Sequence, residues 1–418
     1  MKITNPFLKK LLCHIILFPF HLRYRIKIAG MKNLPENRAV LLLGNHISWI
    51  DWAILQMSCH RCIRFVMHKE IYMLDFHRWL LDLLGVIPIS SKSAREGIKN
   101  IKKALKKGEI VCIFPEGTIS YNSQQGTFKG GFERVLKDME DTLIVPFYIE
   151  GIRGSVFSRS AVKDGLILRR EIVVAFGKPL SRLTKKALLK QKIFHLSVEA
   201  FKESYKKSSS FKSFENKKFL DLLNAEKNEK IISLLPPRHL LNAILSFSKK
   251  IKFLCCYEKK DYMEVCKRVA REDIKYLFSN EEFLEVSVQN QKIHPLMLSS
   301  LKYIITVEKI SQNIKNAFEE RFKKTVYEGY SHKKTGLVCL NLPDVLETGY
   351  WKVQVGYKKE SVGMPLPGRS VRIADDEGEN LDFMKKGRIW IKSYICDEWI
   401  LTDEEGYLDE DGFLFLSS

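Results

Sequence analysis

The first thirty residues, MKITNPFLKKLLCHIILFPFHLRYRIKIAG, contain no acidic side chain. Their apolar centre, LLCHIILFPF, is interrupted by His14 and Pro19 and is shorter than the roughly 20 residues that a bilayer-spanning helix requires. No small-residue cleavage site follows it, as one would in a secretory signal. We therefore predict that residues 1–24 form a basic amphipathic segment lying on a membrane. The alternative is a first core helix with a solvated basic edge.

Positive charge is concentrated in the first half of the chain. The formal net charge is +20, and Lys and Arg exceed Asp and Glu by 17 within residues 1–200 but by only 3 in the remainder. A basic surface can bind nucleic acid or an anionic membrane. The basic residues alternate with apolar segments and no base-reading motif accompanies them, so we expect no nucleic-acid partner. The predicted location is peripheral, on the cytoplasmic face of the cell membrane.

The cysteines lack the spacing of a disulfide or metal framework. There are nine, an odd number without regular spacing, which favours a reducing compartment. Cys59 and Cys62 have the two-residue gap of a zinc or redox pair, but no second pair follows at ligand spacing. Because isolated buried cysteines are common, we predict no metal site.

Short apolar runs alternate with amphipathic stretches over residues 25–205. AVLLLGNH, EIVCIFPEGT, DTLIVPFYIEG and EIVVAFGKPL are typical of buried strands, and SAREGIKNIKKALKKG is typical of a helix closed by Gly108. The alternation predicts an α/β fold, a mixed sheet flanked by helices. The apolar period is lost in the Ser/Lys-rich stretch KESYKKSSSFKSFENKK, so we place a linker at 206–227 before a second domain at 228–418.

The stretch GNHISWIDW places His46 and Asp51 five positions apart among apolar and small residues. They are either a catalytic pair or a buried histidine beside a helix-capping aspartate, and the spacing alone is a weak signal. Both follow the carboxyl end of a buried strand, where α/β folds place their sites. GVIPIS, FPEGT and VPFYIEG also end apolar runs, so four strand ends can converge.

These residue types suit acyl transfer to a hydroxyl group. A hydroxyl attacks an acyl carbonyl only when a base removes its proton, and a histidine is suited to that role. Asp51 would accept a hydrogen bond from the other ring nitrogen of His46, fixing the tautomer and stabilising the imidazolium. No serine or cysteine nucleophile is needed, because the substrate brings the hydroxyl. Glu116, in a turn made tight by Pro115 and Gly117, is expected to orient substrate hydroxyls.

In this order, NHISWID, GVIPIS, FPEGT and VPFYIEG resemble the four motifs of the glycerolipid acyltransferase superfamily, with His46 and Asp51 as its His-four-residues-Asp pair. Residues 25–205 are also similar to the acyltransferase domain of bifunctional 2-acylglycerophosphoethanolamine acyltransferase / acyl-carrier-protein synthetase proteins, through IPISSKSAREGI, FKGGFERV and GIRGSVFS. The resemblance implies a glycerolipid acyltransferase fold, a membrane lysophospholipid acceptor and no cofactor. The donor it implies is a thioester of acyl carrier protein or coenzyme A. The candidate substrate-binding residues are Glu116, Gly117, Thr118 and Pro146 within the matching motifs, together with Ser90, Lys92, Arg95 and Lys129 near them.

The sequence departs from this superfamily at two positions. Its second motif usually carries an arginine for the acceptor phosphate where this chain has Ser90, and FPEGT is often followed by an arginine where this chain has Ile119. A phosphodiester head group needs one or two positive donors, which could come from Lys92, Arg95, Lys129 or Arg134. Each of these is alternatively a solvated charge on a helix face. The departures favour a lysophosphatidylethanolamine-like acceptor over lysophosphatidate.

Residues 228–418 resemble the later part of the large domain of adenylate-forming acyl ligases and imply a partial α+β domain of that type. The segments that carry the resemblance are IISLLPPRHLLNAIL, LSSLKYIITVEKIS, FEERFKKTVYEGYSHKKTG, ESVGMPLPGRSVRI, KGRIWIKS and LTDEEGYLDEDGFLFLSS. The Ser/Thr/Gly-rich phosphate loop that precedes them in a ligase is missing, so ATP phosphates have no backbone cradle.

Other ligase residues have been replaced. Lys333 and Lys334 stand where ligases have a Thr-Glu pair, and a lysine cannot hold Mg²⁺ as that glutamate does. The run 402–404, Thr-Asp-Glu, replaces the Thr-Gly-Asp that grips the nucleotide ribose. The chain ends at Ser418, before the family's hinge and its catalytic lysine. We expect no adenylation, and the region is left as a packing platform, an acyl-carrier-protein dock or a decaying appendage.

The predicted function is lysophospholipid acyl transfer from an acyl thioester to a free glycerol hydroxyl, with 2-acylglycerophosphoethanolamine as the acceptor. The alternatives are a 1-acylglycerol-3-phosphate acyltransferase and a catalytically inactive scaffold that binds the membrane or a carrier protein. Intact acyltransferase motifs beside altered ligase motifs favour the enzyme.

Overall fold

The computed structural model divides into two compact units, Met1–Ser204 and Tyr205–Ser418. The residues that it describes are 6–73, 78–90, 94–160, 163–165, 167–206, 210–248, 250–256, 261–347 and 352–417.

The first unit is a seven-stranded mixed sheet with helices. Its strands are β1 (Tyr24–Ala29), β2 (Val40–Gly44), β3 (Ile63–His68), β4 (Ile87–Ile89), β5 (Ile110–Ile113), β6 (Leu143–Glu150) and β7 (Arg170–Phe176). Its helices are α1 (Pro6–Arg23), α2 (Asp51–Met57), α3 (Lys69–Tyr72), α4 (Arg78–Leu84), α5 (Ala94–Lys106), α6 (Gly131–Leu136) and α7 (Lys186–Tyr205), with a 3-10 turn at Met31–Asn33. The predicted α/β class, a mixed sheet flanked by helices, is confirmed.

The order of the strands brings the predicted motifs to one edge of this sheet. The order is β1-β7-β6-β2-β5-β3-β4, and every neighbouring pair is parallel except β6 with β7. Strands β2 to β6 therefore run in one direction and end at the same edge. Strand β2 is central and buried along its length, as expected of a parallel strand covered on both faces. The loops after β2 and β5 meet because β5 pairs with β2 directly.

Helix α1 buries one side and exposes the other. Leu17 is buried in the core, and the Phe20 ring meets the Trp52 ring edge to face at 6.0 Å between centroids. Ile15, Phe18 and Leu22 are each more than 60% exposed. Among the helices of the described ranges, none is both long and apolar enough to cross a membrane.

The second unit contains three sheets. Its strands are β8 (Lys230–Ser233), β9 (Lys252–Cys255), β10 (Tyr276–Ser279), β11 (Tyr303–Thr306), β12 (Val326–His332), β13 (Gly336–Leu340), β14 (Val345–Glu347), β15 (Lys352–Gln354), β16 (Met364–Pro365), β17 (Arg369–Ala374), β18 (Gly387–Ser393), β19 (Ile400–Leu408) and β20 (Leu414–Leu416). Its helices are α8 (Phe211–Leu222), α9 (Leu240–Leu245), α10 (Tyr262–Arg271), α11 (Glu281–Gln289) and α12 (Gln312–Phe322), with a 3-10 turn at Pro295–Leu298.

The largest of these sheets has the order β16-β13-β12-β11-β10-β8-β9, parallel from β12 to β9 and antiparallel at the β13 end. Strands β17 to β20 form an antiparallel sheet, and β14 pairs with β15. Buried clusters cover the parallel strands of the large sheet, and a further one includes Tyr330, Val371 and Ile391.

The predicted linker at 206–227 contains a packed helix, which is a correction. In α8, Phe219, Leu220 and Leu222 join a buried cluster of the second unit. Glu215 of the same helix pairs with Arg369 at 2.9 Å. The Ser/Lys-rich composition concealed an apolar face, because in the sequence of this helix the lysines are interspersed with the residues that become buried.

Candidate active site

The loop after β2 is tied to the neighbouring strand β6 by an asparagine. The Asn45 side chain donates to the backbone oxygen of Ile149 at 3.0 Å and accepts from its N–H at 2.8 Å. A Cβ atom at Gly44 would lie 2.4 Å from the backbone oxygen of Phe147, so only glycine allows this approach. These contacts fix the backbone that enters His46.

His46 and Asp51 form a hydrogen-bonded pair. Nδ1 of His46 lies 2.8 Å from Oδ2 of Asp51. The Asp51 side chain is fully buried, and 21% of the His46 side chain is exposed. Within the described ranges no hydrogen bond occupies Nε2 of His46. The ring is therefore oriented through one nitrogen and leaves the other for a reacting hydroxyl.

The same carboxylate oxygen organises the turn into α2. Oδ2 of Asp51 accepts from the backbone N–H groups of Ile47, at 2.7 Å, and of Ser48, at 3.0 Å. Asp51 is the first residue of α2, where a negative charge is favourable beside the unpaired N–H groups of the first turn. The two interpretations of this pair are therefore compatible: Asp51 holds the turn at the helix start and also orients the histidine.

The loop after β5 packs against the other side of His46. The rings of His46 and Phe114 stack at 4.0 Å between centroids, with 15° between their planes. Oε1 of Glu116 accepts from the N–H of His46 at 3.2 Å, and Oε2 accepts from the N–H of Gly126 at 2.8 Å. The Ser120 N–H donates to the His46 oxygen at 2.7 Å. The loop after β2 and the loop after β5 are thus joined by hydrogen bonds to both the N–H and the backbone oxygen of His46.

Burial governs the ionisation of Glu116. The residue is 4% exposed, and this burial raises the pKa of its carboxyl to about 7, against the lowering effect of its two backbone hydrogen bonds and of the Lys190 charge. Because both oxygens face backbone donors, Glu116 supports the loop of His46. The prediction that it orients substrate hydroxyls disagrees with this inward position.

Lys190 of α7 is a buried cation on the far side of the same loop. It is 2% exposed, and its Nζ donates to the backbone oxygens of Gly126, at 2.9 Å, and Gln125, at 3.4 Å. It also lies over the ring of Phe128 at 5.4 Å. Gly126 therefore links this lysine to Glu116, accepting from one with its carbonyl oxygen and donating to the other with its N–H.

The turn residues after Glu116 are more open. Gly117 is exposed and has φ of 66°, and a Cβ atom there would lie 2.9 Å from Nζ of Lys129. The exposed Lys129 side chain therefore covers this turn. Thr118 is half-buried, whereas Ile119 is buried at 6% exposure. Position 119 offers no positive charge and points into the core.

The remaining predicted binding residues lie elsewhere or cannot be placed. Ser90 follows the edge strand β4, which is three strands, or about 14 Å, from β2. Arg95 is exposed on α5, and Lys92 lies outside the described residues. Pro146 is a correction: it is buried within β6, on the side that meets Gly177 and Leu196, so it contributes to the core.

Three residues of the site were missed by the sequence interpretation. Asn45 is adjacent to His46 and could have been found as a polar residue at a strand end. Phe114 begins FPEGT, but an aromatic residue there is equally typical of a core. Lys190 carries no signal, since a lysine in a helix is normally solvated.

Comparison with known proteins agrees with both sequence resemblances. Residues 25–150 match the acyltransferase family model, and residues 213–396 match the family model of AMP-binding enzymes. The chain is 29% identical over 180 residues to a chloroplastic 1-acyl-sn-glycerol-3-phosphate acyltransferase, LPAT1, of Arabidopsis thaliana, covering 42% of this chain and 48% of that protein. It is 25% identical over 201 residues to the mitochondrial acyl-coenzyme A synthetase ACSM6 of Homo sapiens, covering 42% of this chain and 40% of that protein.

Each of these matches spans half or less of the relative's own length. Among solved structures, apo MatB from Rhodopseudomonas palustris superposes with a TM-score of 0.41 at 12% identity, covering 92% of this chain and 69% of that chain.

Proposed function

We propose that the first unit transfers an acyl group from a thioester to the free glycerol hydroxyl of a lysophospholipid. The premise is that the chain joins a region matching the acyltransferase family model to a region matching the AMP-binding family model. The observation that carries this proposal is the buried Asp51 carboxylate 2.8 Å from Nδ1 of His46. Such a pair supplies a base without supplying a nucleophile, which suits an acceptor that brings its own hydroxyl.

In the proposed reaction, Nε2 of His46 accepts the proton of the acceptor hydroxyl as its oxygen bonds to the thioester carbonyl carbon. The carbon–sulfur bond then breaks, the proton passes from Nε2 to the leaving thiolate, and the products are an ester and a free thiol. Asp51 stabilises the imidazolium that exists between these two transfers. The Phe114 ring and the backbone contacts of Glu116 hold the histidine in place for both.

For the acceptor we favour 1-acylglycerol 3-phosphate, because it appears in the name of the plant relative that is 29% identical over 180 residues. A second candidate is 2-acylglycerophosphoethanolamine. It is supported by the absence of the two arginines that the superfamily usually has at positions 90 and 119, and by the burial of Ile119.

The donor is proposed to be acyl carrier protein or coenzyme A thioester. The excess of 17 positive charges in residues 1–200 would speed association with an acidic carrier protein. We further propose that the chain works at the cytoplasmic face of the cell membrane, with α1 on the lipid surface. The exposed side chains of Ile15, Phe18 and Leu22 support this.

The direct test is acyl transfer by the purified full chain. Labelled acyl carrier protein or coenzyme A thioesters would be offered with each of the two acceptors in parallel. We expect label in a diacyl lipid, and its loss in His46→Ala. We expect Asp51→Asn to lower kcat by about 10³-fold or more, since it removes the carboxylate that orients the ring. The exposed His60→Ala variant is the matched control and should retain activity.

The preferred acceptor discriminates between the two candidate head groups. If the folded protein acylates neither lipid with either donor, the enzyme proposal is wrong and the scaffold alternative replaces it.

A further inference from the structure

Two loops beside the His46–Asp51 pair expose large apolar side chains. Trp49 lies between the two catalytic positions and is 46% exposed, and Val156 and Phe157 in the loop after β6 are 46% and 37% exposed. Tyr121 follows Ser120, the residue whose N–H donates to His46, and is also exposed. We refer to Trp49, Tyr121, Val156, Phe157 and Arg159 as the site rim.

The site rim is held together by backbone contacts. The Trp49 N–H donates to the Phe157 oxygen at 3.1 Å, and Ser48 forms a β-bridge with Ser158. The guanidinium of Arg159 lies 5.2 Å from the centre of the Trp49 ring. The exposed side chains therefore project from two loops that are hydrogen-bonded to each other next to His46.

Basic groups surround these apolar side chains. Arg153 donates to the backbone oxygen of Tyr121 at 2.9 Å, and Lys163 donates to the backbone oxygen of Ser158. Burial and the neighbouring Arg153 charge lower the pKa of Lys163. The acidic residue of this loop, Asp164, pairs with Arg170 at 3.0 Å. An anionic partner would be attracted to this cluster.

We propose that the site rim is a membrane contact distinct from the exposed face of α1, at which Trp49 and Phe157 enter the headgroup region of an anionic bilayer and Arg159 faces lipid phosphates. Aromatic residues favour that region because one part of the ring is apolar and the other can be wet. Basic residues add attraction to anionic lipid. An acceptor lipid would then reach His46 without leaving the bilayer. This role in substrate access rests on the proposed function, whereas the contact between the site rim and the membrane does not.

The position of α1 supports a membrane as the partner. Helix α1 packs on α2 through Phe20 and Trp52, and α2 begins at Asp51, two residues after Trp49. An exposed apolar helix face and the site rim thus both adjoin the same short helix. A lipid surface offers apolar contact over a wide area, whereas a compact protein partner would have to match two separate shapes.

Depth-dependent quenching tests the position of Trp49. The full chain would be mixed with vesicles of equal parts phosphatidylglycerol and phosphatidylcholine, with and without bromine on the acyl chains. We expect brominated lipid to quench the tryptophan emission of the parent, and Trp49→Phe to lose part of that quenching. Trp399→Phe, in the second unit, should keep it. Equal quenching of the parent and Trp49→Phe would overturn the proposal.

Vesicle sedimentation tests the energetic contribution. We expect the double variant Trp49→Ser/Phe157→Ser to bind about ten-fold more weakly, from the apolar area lost to the bilayer. Arg159→Gln should weaken binding about five-fold, and only with anionic vesicles. Leu183→Ser removes an apolar residue elsewhere in the unit that is more exposed, at 69%, and should bind like the parent. Unchanged binding by the double variant would refute the contact, and a double variant that does not fold leaves the quenching experiment decisive.

The same experiments in the His46→Ala protein separate this proposal from the proposed function. If His46→Ala binds and is quenched like the parent while the parent transfers no acyl group, the membrane contact stands and the catalytic proposal fails. If the parent transfers acyl groups but Trp49 is not quenched, the reverse holds.

Discussion

At the scale of single residues, two buried carboxylates fix one short loop. Oδ2 of Asp51 accepts from Nδ1 of His46 and from the N–H of Ile47, while Oε1 of Glu116 accepts from the N–H of His46. The side chain and the backbone of the histidine are thus held by different acids. This arrangement separates two tasks: Asp51 sets the ring, and Glu116 sets the peptide from which the ring projects.

We expect Glu116→Gln to alter how stability depends on pH. Burial raises the pKa of Glu116 from its ordinary 4.5 to about 7, so between these values the folded protein keeps a proton that the unfolded chain releases. The free energy of unfolding therefore falls as the pH rises through this window, by up to about 3 kcal/mol. Glutamine cannot ionise, but it loses an acceptor for a backbone N–H, which costs about 1 kcal/mol.

Thermal unfolding at pH 5 and pH 8 checks this expectation. Glu116→Gln should be less stable than the parent at pH 5 and should recover relative to it, or exceed it, at pH 8. Glu140→Gln removes an exposed carboxylate of the same unit and should follow the parent throughout. A stability difference that is the same at both pH values would contradict the burial of an ionisable Glu116.

The residues that meet at the candidate site could be predicted from the sequence where they belong to a recognisable motif. The proximity of His46 and Asp51, and of Glu116 to both, followed from strand ends at one sheet edge, and the structure brings them together. The direction of each side chain was not predictable. A carboxylate in a tight turn can face substrate or backbone, and only the packing of the Gly126 segment decides that Glu116 faces inward.

At the scale of elements, α7 links the core to the site through one buried lysine. Lys190 donates hydrogen bonds to the backbone oxygens of Gln125 and Gly126 and lies near Glu116. Removing it would leave the two oxygens without a donor and Glu116 without its nearby cation. A charge buried without a compensating partner is costly, so both α7 and the loop after β5 depend on this residue.

We expect Lys190→Met to destabilise the protein by about 2–3 kcal/mol, because two buried acceptors lose their donor. The pKa of Glu116 should rise further, since Lys190 lowers it in the parent. Thermal unfolding and the pH dependence of acyl transfer measure these effects. Lys192→Met, an exposed position on the same helix, is the matched control. A parent-like pH profile in a folded Lys190→Met protein would show that the lysine does not act on Glu116.

Helices and strands could be predicted where the spacing of their apolar residues was regular. The buried strands β2 and β5 and the helix α5, which ends just before Gly108, appeared as expected. Helix α8 did not, because Phe211, Phe214 and Phe219 are separated by lysines and serines that resemble a linker. Its formation follows from tertiary packing, including the Glu215 contact to Arg369, which a local window cannot detect.

At the scale of the whole molecule, the second unit has a packed interior around the residues that differ from the acyl-ligase pattern. The buried pair of Lys315 and Glu328 lies within it. Lys333 and Lys334 are exposed in the turn between β12 and β13. Thr402 donates to the backbone oxygen of Ile389 at 3.0 Å inside the sheet. The residues that differ from the acyl-ligase pattern therefore lie either in an exposed turn or inside a sheet of the second unit.

We predict that the full chain does not adenylate fatty acids. A lysine at the position of the Mg²⁺-binding glutamate repels the metal, and no phosphate-binding loop precedes the first ligase-like segment. ATP–pyrophosphate exchange with long-chain fatty acids and Mg²⁺ measures this directly, beside a working acyl-coenzyme A synthetase as the positive control. We expect exchange no higher than in protein-free samples, and acyl transfer from a preformed thioester that ATP does not increase. Exchange that requires both Mg²⁺ and fatty acid would show that the altered residues still support adenylation, and the second unit would then be a source of activated acyl groups for the first.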